Sequence, residues 1–90
     1  MGLMLALSYI KDELRDGDYA WPGGYPKYFQ TCSGEALSFD AVRQNYREVV
    51  RAHRTRDEDS DWSLCACEVN WDNPELYCAR TNARIESAYA

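Results

Sequence analysis

Four cysteines, one histidine and a row of carboxylates are the residues of this 90-residue chain whose types could do chemistry. Cys32, Cys65, Cys67 and Cys78 could form disulfides, hold a metal ion or act as nucleophiles. A structural zinc site is built from paired ligands at C-x2-C spacing, and the sequence contains no such pair. Cys78, Cys32 and His53 could converge on a metal from separate elements; the competing reading makes the cysteines small buried hydrophobes. Cys65 and Cys67 stand two apart on one face of an expected strand, a placement that rarely bridges. The opening "MGLMLALSYI" lacks a positive n-region and a small-residue cleavage site. The chain therefore reads as cytoplasmic, with its cysteines reduced and with no metal or cofactor.

Catalysis by a nucleophile needs a base within reach of it. His53 is the single histidine, and it falls on or beside the apolar stripe of a predicted helix, as a boundary residue. No helix N-terminus or cationic neighbour is evident to activate Cys65 or Cys67. "PGGYP" lacks the Lys and Ser/Thr that follow a phosphate-binding loop. Asp57, Glu58, Asp59 and Asp61 superficially match a calcium loop but lack its sixth-position Gly and its twelfth-position Glu. The residues read as those of a non-enzymatic protein.

Charge carries more information. The net charge is −5, which argues against a dedicated nucleic-acid binder. Yet residues 43–56 hold five Arg and one Glu, while residues 57–90 hold two Arg and eight acids. Arg43, Arg47, Arg51 and Arg54 form a basic helix face, either a solvated surface suited to the helix dipole or a binding face. Beside it, Asp57, Glu58, Asp59 and Asp61 would repel phosphates. Carboxylates projected from a loop can instead imitate a row of phosphates and occupy a basic channel. Asp72 and Glu75 offer a second acidic edge. Trp21 and Tyr25, in "DYAWPGGYP", either pack over the core or anchor a partner.

The elements that must position these residues follow from periodicity. Leu3, Leu7, Ile10 and Leu14 predict a helix over 3–16, stopped at Gly17. "KYFQTC" alternates as a strand. Ser38 as N-cap, Asp40 in the first turn and the stripe Phe39, Val42, Tyr46, Val49, Val50 and His53 predict a second helix over 39–54. "WSLCACEVNW", residues 62–71, predicts a strand within a sheet. "ELYCA" and "RIESAY" predict two short strands around Asn82, which can turn left-handed. The order α-β-α-β-β-β implies a single α+β domain over 1–90, two helices on a small antiparallel sheet. No apolar run approaches the ~18 residues of a membrane span.

"YAWPGGYPKYF", "LSFDAVRQNYREVV" and "VNWDNPELYCARTNARIESAY" resemble a family of small proteins carried by phages, plasmids and other mobile elements. The ending is similar to a C-x-x-T-G-x-R-I-x-x-A-Y pattern, with Asn82 in place of Gly. It also resembles one knuckle of a zinc ribbon in which Thr81 replaces the second cysteine, a hairpin shape without its metal. Small acidic proteins of such elements are similar in character to anti-CRISPR proteins, which block a CRISPR effector from its target DNA. By that analogy the resemblance implies an inhibitor, acting as a monomer in the host cytoplasm, that binds a CRISPR effector subunit of type I. No direct nucleic-acid contact and no membrane contact are implied. The contacts would be Asp57, Glu58, Asp59, Asp61, Asp72, Glu75, Trp21 and Tyr25. The alternative is a small accessory domain whose Arg helix binds an acidic protein or RNA.

Overall fold

A computed structural model describes residues 3–89. Its elements are α1 (Leu7–Asp16), β1 (Tyr19–Ala20), β2 (Tyr25–Thr31), β3 (Ala36–Leu37), α2 (Phe39–Gln44), α3 (Tyr46–Thr55) and β4 (Leu64–Val69). The class is α+β, with helices packed on an antiparallel sheet. The order, however, is α-β-β-β-α-α-β. Two short strands, β1 and β3, were not expected beside β2, and three further differences separate the structure from the sequence-based expectation.

First, α1 begins at Leu7 because the backbone before it is engaged elsewhere. Ala6 supplies no side-chain cap, and the Leu5 N–H donates to Leu64 O at 2.8 Å. Leu3 therefore stays outside the helix and is exposed. Gly17 ends the helix as predicted, with φ 100° and its N–H on Glu13 O.

Second, the expected second helix is two helices. Ser38 caps α2 through Ala41 N–H, but the Asn45 side chain also donates to Ala41 O at 2.9 Å. That local bond competes with the helical ladder. Asn45 takes φ −120°, ψ 29°, and α3 restarts beyond it.

Third, the C-terminal segment forms a single bridge, Tyr77 with Arg84, where two strands were expected. Buried Asn70 competes for its backbone. Its Nδ2 donates to the carbonyls of Asn73, Ile85 and Glu86, and its own carbonyl accepts Ala88 N–H. Asn82 does adopt the left-handed conformation, φ 61°.

β2 is the centre of the sheet. β4 runs along one edge, from Lys27↔Val69 to Thr31↔Leu64, with an irregularity between Gln30 and Thr31. β1 and β3 share the other edge, pairing Tyr19↔Pro26 and Phe29↔Leu37. Phe29 stacks on Phe39 with ring centroids 4.5 Å apart. Ile10, Leu37, Val42, Val49, Leu64, Cys78 and Ile85 complete the core around them.

The expectation of four reduced cysteines is corrected: Cys32 and Cys65 form a disulfide. Cys32 follows β2 directly and Cys65 lies in β4, so strand pairing brings them together, with Cα atoms 5.0 Å apart. Cys67 and Cys78 are free.

Candidate functional site

The acidic stretch forms an ordered turn. Arg56 ends α3 in the left-handed conformation, φ 56°, and Asp57 N–H then reaches back to Ala52 O. Ser63, fully buried, donates its hydroxyl to the carbonyls of Ser60 and Glu58 at 2.8 and 3.0 Å. Asp57 Oδ1 accepts Asp59 N–H. Asp57, Glu58 and Asp59 project exposed, and none joins an ion pair among the described residues.

Asp61 does not belong with them. Its carboxylate meets Arg80 at 3.1 Å, and the same guanidinium forks onto Glu35. This bridge ties the turn to the loop before β3 and to the C-terminal segment. Asp61 is thus a partner of its own chain.

The basic face is also smaller than its spacing suggests. Arg43 lies 2.8 Å from Asp18 and 3.2 Å from Asp40, donates to Leu14 O and sits over the Phe39 ring. It joins α2 to the end of α1. Arg47, Arg51 and Arg54 remain exposed on α3, around a shallow groove that includes Val50.

The β1–β2 turn carries the predicted aromatics in opposite ways. Trp21 precedes a cis peptide bond to Pro22 and is 78% exposed. Tyr25 is half-buried and packs on Trp71, centroid to centroid 4.6 Å, with Tyr89 completing a three-ring cluster at 6.1 and 6.3 Å. Spacing could not reveal Trp71 and Tyr89, because the tail folds back through Tyr89 N–H to Trp71 O. Asp72 and Glu75 follow Trp71 and are exposed.

The titratable groups that could do chemistry are engaged structurally. His53 receives Leu64 N–H on Nε2, and its Nδ1 lies 2.8 Å from Leu5 O. Burial lowers its pKa below the ordinary 6.5, against the opposing Leu5 hydrogen bond. Burial first, then the Glu13 carboxylate, pushes the Cys67 thiol up to about 12. Burial also pushes Cys78 up, but hydrogen bonds from the Thr81 side chain and the Ser38, Thr81 and Arg80 backbones outweigh it, leaving about 7. Among the described residues no three His, Cys, Asp or Glu side chains converge as metal ligands. Cys32, one of the three residues weighed for a metal, is held in the disulfide.

No helix of the described residues is long and apolar enough to cross a membrane. No family model, no curated protein and no solved structure matches the chain.

Proposed function

We propose that this chain is a non-enzymatic acidic inhibitor that binds a basic, nucleic-acid-handling host defence complex, as the resemblance to mobile-element proteins implies. In this reading Asp57, Glu58 and Asp59 take the place of phosphates in a CRISPR effector and deny it target DNA. The observation that carries the reading is the turn itself. Three carboxylates that join no ion pair among the described residues stand on a backbone fixed by the left-handed Arg56, the Asp57–Ala52 bond and the buried Ser63 hydroxyl. A mimic held in shape before binding loses less freedom on binding than a mobile loop. The Tyr25–Trp71–Tyr89 cluster, with Asp72 and Glu75 beside it, supplies an aromatic anchor of the kind that dominates interface energetics. The site of action is the cytoplasm of the host.

The direct test is competition for the effector between the purified protein and target DNA. Charge reversal of Asp57, Glu58 and Asp59 should abolish competition, and raised salt should weaken the parent protein. Inhibition that survives the reversal would sink the reading.

A second reading rests on the exposed Arg47, Arg51 and Arg54 of α3. It makes the chain a small accessory domain that binds an acidic protein or RNA. That reading requires retention on heparin at low salt, and the inhibitor reading does not.

A further inference from the structure

A second concavity lies on the side of the sheet where α1 meets β1 and β4. It is an open concavity of about 490 Å³ lined by Tyr9, Tyr19 and Trp21. Glu13, Asp16 and Glu68 also line it, against one cation, Lys27. Lys27 is already committed: its Nζ lies 2.7 Å from Glu13 and 5.3 Å from the Phe39 ring centroid, and the pair is mostly buried. Asp16 and Glu68 join no ion pair among the described residues. The site therefore combines two carboxylates that join no ion pair among the described residues with three exposed aromatic side chains.

The rings are held there by the backbone. Tyr19 sits in β1 opposite Pro26, and its hydroxyl donates to Glu86 at 3.0 Å. Trp21 is carried at the head of a turn closed by Gly24 N–H on Ala20 O, with Gly24 at φ 69°. Tyr9 lies on α1 and is partly exposed, its phenol pKa raised above the ordinary 10 by burial first and then by the nearby Cys67 and Glu13. An exposed aromatic wall in a small domain marks a contact site rather than a core.

Aromatic faces attract cations, and carboxylates fix which cation fits. A guanidinium can lie flat on a ring while its N–H fork meets a carboxylate, a planar two-sided fit that the point charge of an ammonium matches less closely. We infer that the Tyr9–Tyr19–Trp21 concavity receives an arginine side chain from an exposed segment of a partner protein. The site goes beyond the acidic turn: it uses none of residues 57–61, and it reads a single side chain rather than a row of charges.

A Gly/Ser peptide carrying two arginines tests this, with matched lysine and citrulline peptides; citrulline keeps the shape and loses the charge. The readout is the indole N–H resonance of Trp21, with Trp62 and Trp71 as internal references. The arginine peptide should shift Trp21 saturably and leave Trp62 unmoved; the lysine peptide should bind more weakly, and the citrulline peptide should shift neither indole. Trp21→Ala, followed through a backbone amide of β1, should weaken binding about two- to fivefold, and Asp16→Asn with Glu68→Gln should also weaken it. The Asp57, Glu58 and Asp59 reversal should leave the peptide affinity unchanged even if it destroys inhibition. An unmoved Trp21, equal binding of the lysine or the citrulline peptide, or a shift centred on Trp71 would each overturn the assignment.

Discussion

His53 Nε2 accepts the backbone N–H of Leu64 at 3.0 Å, so the neutral ring carries its proton on Nδ1 and donates it to Leu5 O. Leu5 N–H in turn donates to Leu64 O. Three hydrogen bonds thus close a ring through the N-terminal segment, α3 and the start of β4. The imidazole is a clamp that works in its neutral form.

Acid should therefore weaken the protein through this residue. The folded pKa lies below the ordinary 6.5, so the clamp's contribution is complete above that value and is lost as pH falls through the folded one. His53→Ala leaves the Leu64 N–H without its acceptor and should cost about 1–3 kcal/mol at neutral pH. Urea denaturation at pH 7.5 and pH 5 checks both points. An unchanged pH dependence in the variant would remove His53 from the account.

The disulfide should be detectable by counting thiols. Unfolded without reductant, the protein should expose Cys67 and Cys78 to a thiol reagent, and Cys32 and Cys65 only after reduction. Cys32→Ala with Cys65→Ala should lower stability by about 2–4 kcal/mol. The same variant speaks to the place of action, since disulfides are rare in reducing compartments. A cytoplasmic inhibitor should keep its potency without the bond in every preparation that a thermal melt shows to be folded; loss of potency in folded protein would count against action in a reducing compartment.

The acidic turn should divide into two kinds of carboxylate. Asp57→Lys, Glu58→Lys and Asp59→Lys together should weaken partner binding and leave the melting temperature nearly unchanged. Asp61→Lys should lower stability by about 0.2–1 kcal/mol through the Arg80 bridge and have the smaller effect on binding. Thermal melts alongside binding assays separate the two. Loss of binding confined to Asp61→Lys would reverse the assignment.

Gly23 sits beneath the Tyr25 ring, and a Cβ placed there would run into it. Gly23→Ala should turn Tyr25 away from Trp71, red-shifting the Trp71 emission and altering the near-ultraviolet circular dichroism. The far-ultraviolet spectrum should stay the same, because the ring can move without unfolding the hairpin. A crystal structure of the variant with the Tyr25–Trp71 contact intact would refute this.

Much of this fold was legible in the chain because local rules governed it. Ser38 capped its helix, Gly17 and Asn82 took positive φ, and the class followed from periodicity. What the sequence concealed was decided by long-range partners. Leu64 drew Leu5 out of α1, Asn70 captured the C-terminal backbone, and β2 brought Cys32 to Cys65. The charged residues show the same division. Spacing placed Arg43 and Asp61 within continuous stripes, but Asp18 and Arg80, remote in sequence, took them out of service.

The Cys32–Cys65 bond also bears on the speed with which the chain assembles. β1 and β3 lie close to β2 in sequence, whereas β4 must be recruited past two helices and the acidic turn. Closing so long a loop is the slow part of forming a sheet. The bond joins the end of β2 to β4 beside Thr31↔Leu64, the pair where their register ends. With it intact, refolding begins with those two strands already neighbours; once it is reduced, they must search for each other. Stopped-flow refolding should accordingly be slower in the reduced chain than in the oxidised one, and equal rates would show that β4 docks after the rate-limiting step.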